Sequence, residues 1–426
     1  MSASRALCSL RYCLGMDTTP PLAETRAAEA QTLPAFRHLN LYGIKSAIKE
    51  ILQLVGRDGI FREYTLHDVT HVDQMLGILD WLIPTATQEA MTPADWLLIV
   101  LAVYFHDAGM VVTPEEFSAR ADSDFNNFCE RELFAGHAGA EYRAKLGRLE
   151  GEEAERFAYE EFIRRNHAER VADWIQGRHT QRRGLSTTLA NQIDELLRPL
   201  PAEFRRDLAL VCESHHQSDL HNTTKYKLSQ PYGNSESETA NVQYAALMLR
   251  TADLLHLTSD RTPTVMFRLI NFQDPVSQRE WSKQAAVRRV RAQKGHDREG
   301  NQSDGAAKSC IEVFATFADA EGFFGLTSYL RYAEGELLQT FEWAETSRTE
   351  AGNKYYFPWR RIDDSEVTAT GFLPERLGFP LDQEKILELL TGHTLYNDTQ
   401  RCYSRISAKR IGRSAVTSAY RRASAV

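Results

Sequence analysis

Ten consecutive apolar residues, Trp96 to Phe105, run straight into His106-Asp107. A run of that length is too short to span a bilayer. It must be buried in protein, and it carries the polar doublet to the edge of the core. Burying a His-Asp pair is costly unless something satisfies it. Two arrangements do so: a hydrogen-bonded pair, or coordination of a metal ion. Imidazole and carboxylate together suit Zn, Fe, Mn or Mg, depending on ligand number and geometry. The wider organising stretch is Tyr64 to Met110, which opens with His67-Asp68 and continues to His71 and Asp73.

Helical periodicity dominates the first 260 residues. Ile44, Ala47, Ile48, Ile51, Leu52 and Val55 recur at steps of three and four and predict a helix over Tyr42 to Val55. Val72, Met75, Leu76, Leu79 and Leu82 predict a second, which Pro84 stops. Its periodicity turns His71 inward. Thr92-Pro93-Ala-Asp95 and Thr113-Pro-Glu-Glu116 are helix starts with proline at the first turn. Further helices are expected over Glu130 to Leu146, Glu150 to Gln176, Leu185 to Leu200, Ala202 to Glu213 and Thr239 to Leu257, with a surface loop over Asp219 to Glu238. After Pro263 the pattern changes. Glu280 to Lys294 reads as a basic amphipathic helix and Ile311 to Phe317 as a strand. Thr327 to Glu336 reads as helix, and Leu337 to Trp343 as either state. Tyr355 to Trp359, Val367 to Phe372 and Phe379 to Leu381 read as short strands, and Gln383 to Leu390 as a short helix. The fold class is mostly α, with a helical core and a smaller α+β C-terminal extension. The expected boundaries are a loose segment 1–33, a helical domain 34–262, the extension 263–396 and a basic tail 397–426.

Several polar residues interrupt the helical part at helix ends or on inner faces: His71, His106, Asp107, His167, His215, His216 and Asp253. A helical bundle builds a metal centre from side chains in such places. Net charge of -8 argues against a broad nucleic-acid-binding face. The tail from Gln400 onward has no acidic residue and gives slight support to an acidic partner such as nucleic acid. Six cysteines without CxxC spacing exclude a disulfide scaffold or zinc finger and fit a reducing, cytoplasmic compartment. No membrane partner is expected.

In order and spacing, His71, His106-Asp107 and Asp253 resemble the HD superfamily of metal-dependent phosphohydrolases. Asp253 lies in Leu249-Arg250-Thr-Ala-Asp253-Leu-Leu, which looks like that family's last-ligand helix. Members with two metals add histidines between the doublet and the last Asp, positions matched by His167 and by His215 or His216. Near Asp253 many relatives have Asp where this chain has His256, a position that is not a ligand in the family pattern. The segment from His67 to Asp73 is similar to the part of cyclic-nucleotide phosphodiesterases where a first histidine donates a proton and a second binds metal. There Asn follows the first histidine; here it is Asp68, which counts against that assignment and leaves the metal site intact. The layout over residues 35 to 396 resembles a bacterial group in which an HD domain with a C-terminal extension precedes an ATPase domain of the gyrase, histidine-kinase and heat-shock-chaperone type. The ATP-site motifs expected after Asp398 are absent.

The resemblance implies a helical HD core and hydrolysis of a phosphate ester or anhydride at a mono- or di-metal centre of unknown metal identity. A nucleotide is the default substrate. His67 is the expected general acid, Asp107 the shared carboxylate, and Arg164, Arg165 and Arg261 the expected phosphate-binding cations. A homo-oligomer is in keeping with helical cores of this type. Two alternatives use the same residues: an inactive HD module that binds nucleotide and regulates a partner, and a truncated fragment of an HD-plus-ATPase protein.

Overall fold

The apolar run forms the central helix of the helical core, and its start is fixed chemically. The Thr92 hydroxyl accepts from the Asp95 amide and the Asp95 carboxylate accepts from the Thr92 amide, with Pro93 at the first helical position. Every residue from Ala94 to Phe105 is then buried. A helix that is apolar all round needs neighbours on every side.

The computed structural model describes residues 20–55, 69–133, 151–178, 187–259, 275–293, 309–350 and 354–374, with a few isolated positions between them. In chain order its longer helices are α1 (Leu22–Glu29), α2 (Leu41–Leu52), α3 (Val69–Leu82), α4 (Pro93–Phe105), α5 (Glu152–Ile175), α6 (Thr187–Leu197), α7 (Ala202–Ser214), α8 (Val242–Leu255), α9 (Pro275–Ala285) and α10 (Ala320–Glu350). Around α4 pack α1, α2, α3, α7 and α8. Asn40 caps α2 and Asn241 caps α8, each side chain accepting the amide three residues on. A smaller cluster of Met110, Val112, Phe125, Phe128, Tyr159 and Ile163 packs beside the main core.

The α+β part is a four-stranded sheet covered by α10. Strand β2 (Cys310–Phe317) is central. β1 (Val287–Gln293) pairs with it antiparallel, and β3 (Ile362–Asp363) and β4 (Val367–Ala369) pair parallel along its other edge. Leu257, Val287, Val313, Phe317, Phe323 and Leu326 share a core there. The mostly helical architecture with a smaller strand-bearing C-terminal region is the expected one.

Three local expectations are corrected. Residues 22–32, expected loose, are helical, and Ala23, Ala27 and Ala30 are wholly buried. Small side chains one turn apart let α1 lie close against α4. The basic segment expected as helix to Lys294 ends its helix at Ala285 and becomes β1. Arg288 and Arg289 are exposed on this edge strand and Arg291 pairs with Glu312 at 2.5 Å, so the charges suit an edge as well as a helix face. Tyr355 to Trp359, expected as a strand, is irregular and pinned by side chains instead. Thr327 to Glu336 is helical as expected, and Leu337 to Trp343, for which either state was open, continues the same helix, α10. Phe379 to Leu381, Gln383 to Leu390 and the tail lie outside the described residues.

Candidate metal centre

Five helices deliver the polar residues to one place. His71 comes from the first turn of α3, and His106 caps the C-terminus of α4 with Asp107 just beyond. His167 lies within α5, His215-His216 just after α7, and Asp253 in the last turns of α8. Two groups of donor atoms lie within 4.8 Å of one another: His71, His106 and Asp253, and His167, His215 and His216. Asp107 stands between them. Its Oδ2 is 3.4 Å from His71 Nε2 and 3.3 Å from His106 Nε2, while its Oδ1 is 3.5 Å from His167 Nε2.

The spacing is that of ligands about a cation. His71 Nε2 is 3.2 Å from His106 Nε2 and 3.5 Å from Asp253 Oδ1. Donors held at about 2.1 Å from one ion lie about 3.0 to 3.4 Å apart in octahedral or tetrahedral geometry. The protonation pattern points the same way. Nδ1 of His106, His167 and His215 lies 2.9, 2.8 and 2.5 Å from the carbonyls of Val103, Arg164 and Cys212. A carbonyl only accepts, so each Nδ1 carries a proton, and wherever the ring is neutral its Nε2 lone pair points inward. The Nε2 atoms of His167 and His215 face each other at 2.9 Å. Two lone pairs at that distance require a cation or a proton between them. Burial and the neighbouring imidazoles push His215 far below the usual histidine range, which disfavours the proton. Burial also lowers His167 and His216. At His106 burial opposes the charged form, but Asp107 and Asp253 outweigh it and raise the imidazole to about 9.

A family model described as HD-CE matches residues 61–339, well over half of the chain. The chain belongs to the HD-CE family. No curated protein and no solved structure matches it. HD-CE membership and the two His/Asp clusters together are consistent with the metal-binding catalytic centre of a hydrolase with the HD-superfamily phosphohydrolase fold. Which divalent metal they take does not follow from the donor set. No described helix is long and apolar enough to cross a membrane.

Of the residues singled out in this HD-CE sequence, His71, His106, Asp107, His167, His215, His216 and Asp253 all converge. His67 and Arg261 lie outside the described residues. Arg164 is gripped by Glu161, with Nε and Nη2 donating at 3.2 and 2.7 Å. Its charge still reaches His216 and helps to lower it. Arg165 lies over the Phe128 ring, 5.5 Å from its centroid. The centre is closed at its base, where His71 and His106 are buried, and opens on the side of Asp253 and His216.

One residue was missed as part of the site. His256 is buried, its ring stacks on His71 at 4.9 Å, and the two Nδ1 atoms are 2.6 Å apart. It orients His71 from behind. The sequence held a usable signal: His256 stands three residues after Asp253, at the end of the same apolar helix.

Proposed function

We propose that the protein is a metal-dependent phosphohydrolase that opens a phosphate ester or anhydride in a nucleotide or related molecule. The observation that carries this is Asp107, whose two carboxylate oxygens face two separate histidine clusters. In this reading His71, His106, Asp107 and Asp253 hold one divalent cation, and Asp107, His167, His215 and His216 hold a second. Bound there, the cations supply an acidified water and charge neutralisation on phosphoryl oxygens. The chain's own residues do the rest. The Nδ1–carbonyl bonds keep three imidazoles in the metal-binding tautomer. Asp107 fixes the separation of the two sites. The open side next to Asp253 and His216 admits the phosphate, with Arg164 at its margin as a cation released from Glu161 when substrate arrives. His67, four residues before His71 in sequence, is assigned the protonation of the leaving oxygen, a role within reach of an ordinary imidazole near neutral pH.

The test is metal analysis of the purified protein together with hydrolysis assays on a nucleotide panel with Mn, Fe, Mg and Zn. Asp107→Ala is expected to strip metal and abolish turnover while circular dichroism stays close to wild type. Full-rate hydrolysis by that variant would sink the proposed site. Metal and nucleotide binding without turnover in the wild type would favour the regulatory module over the enzyme.

A further inference from the structure

The C-terminal extension reaches the neighbours of both ligand groups through one arginine of the core. Arg250 lies on α8 one turn before Asp253. Its guanidinium donates to the Gln217 carbonyl, one residue beyond His216, and to Glu336 Oε2 on α10 at 2.5 Å. The two side chains keep 17% and 13% of their surface, so solvent screens the pair only weakly. A second contact lands on the far side of Asp253, where the Tyr329 hydroxyl donates to the Leu254 carbonyl at 2.8 Å. The extension thus brackets Asp253 and, through Arg250, holds the turn that carries His215-His216.

We propose that Arg250 and Glu336 are positioning residues of the metal centre, linking the extension to the placement of ligands in both clusters. The inference rests on the reading that these clusters hold divalent cations. Its physical basis is the guanidinium fork, which has enough donors to hold a carbonyl and a carboxylate at once. Glu336 fixes the fork from the extension side. With that anchor gone, Arg250 swings toward water and the Gln217 carbonyl loses its donor. The His215-His216 turn then loses one of its backbone anchors and is left with contacts such as the Gln217 amide to the Ser214 carbonyl and the His215 ring against His167. The extension is in this view a part of the centre, and anything that shifts α10 shifts metal affinity.

The experiment strips the full-length chain with chelator and titrates it with Mn²⁺, reading affinity and stoichiometry by calorimetry. Glu336→Gln and Arg250→Lys are each expected to weaken Mn²⁺ binding about 10- to 100-fold, the usual effect of losing a partner behind a ligand. Glu345→Gln makes the same charge change on the same helix, in a partly exposed pair with Arg348, and should leave Mn²⁺ binding unchanged. Arg250→Lys keeps a positive charge opposite Glu336 but lacks the fork, so its melting temperature should stay near wild type while affinity falls. In the wild type, Mn²⁺ uptake should slow amide hydrogen exchange around Tyr329 to Leu337 on α10. If Glu336→Gln fails to fold, Arg250→Lys and the exchange measurement decide. Wild-type affinity and stoichiometry in both variants, or in Arg250→Lys alone when the other does not fold, overturn the inference and leave the metal-centre reading standing. A wild-type chain that takes up none of Mn²⁺, Fe²⁺, Mg²⁺ and Zn²⁺ overturns both.

Discussion

Gly109 is where the two halves of the centre meet. A Cβ built on it would lie 2.0 Å from the His167 carbonyl oxygen, so backbone touches backbone there. That closeness brings Asp107 within reach of His167. Gly109→Ala is expected to push α5 away from the turn, cost on the order of 1–3 kcal/mol of stability, and lose metal from the His167 cluster first. Calorimetric Mn²⁺ stoichiometry would check it, and two tight sites in the variant would refute it. His106 sets the pH behaviour of the metal-free protein. Its folded-state value of about 9 lies above the ordinary 6.5. The stability it contributes is therefore complete below about pH 6.5 and disappears as pH rises through about 9, by on the order of 1 kcal/mol per unit. Metal uptake displaces the same proton, so Mn²⁺ affinity should rise over that window, by up to about tenfold per unit. Denaturant titrations of chelated protein and calorimetry from pH 6.5 to 9 would measure the two opposite slopes.

At the scale of elements, α5 is tied to the turn after α4 by a buried ion pair. Arg170 is almost wholly enclosed, and its Nη1 donates to Glu116 Oε1 at 2.5 Å. Its other nitrogens donate to the carbonyls of Gly109 and Val111 at 2.9 and 3.1 Å. One side chain thus fixes α5 against the segment that follows Asp107. Burial opposes the Arg170 charge but Glu116 outweighs it, so the guanidinium stays ionised. Arg170→Met leaves Glu116 buried and uncompensated, and is expected to cost about 3–5 kcal/mol. Adding Glu116→Leu removes the stranded charge and should recover much of the loss. Denaturant titration of the single and double variants tests this, and equal stabilities for the two would refute it.

For the molecule as a whole, the extension is built into the helical core. The Trp359 indole is fully buried and donates to the Leu82 carbonyl at 2.7 Å. The Tyr355 hydroxyl donates to Asp95 at 2.9 Å, on the same carboxylate that caps α4. The Tyr244 hydroxyl donates to the Tyr356 carbonyl at 2.8 Å. The described residues up to Leu373 accordingly fall in one compact unit. Trp359→Ala is expected to cost about 3–5 kcal/mol and to move a single cooperative unfolding transition. A helical domain that kept its own unchanged transition while the extension melted separately would contradict this.

Much of the protein was legible in its residues. Apolar spacing gave most of the helices, Thr92-Pro93-Asp95 marked where the central one begins, and the His-Asp doublet at its end announced the metal donors. These signals are local: a cap, a period and a doublet each act within a few residues of chain. The misses are also local patterns, overridden by partners far away. Arg288 to Arg291 carry a helical charge pattern, yet backbone pairing with residues 310–315 makes them a strand. Tyr355 to Trp359 carry strand-forming side chains, yet their bonds go to Asp95 and Leu82. Only the tertiary structure decided that the two oxygens of Asp107 face different clusters, that His256 stands behind His71, and that Glu336 reaches Arg250. Those contacts join residues scores of positions apart, and a contact made through space leaves no period in the sequence on either side of it.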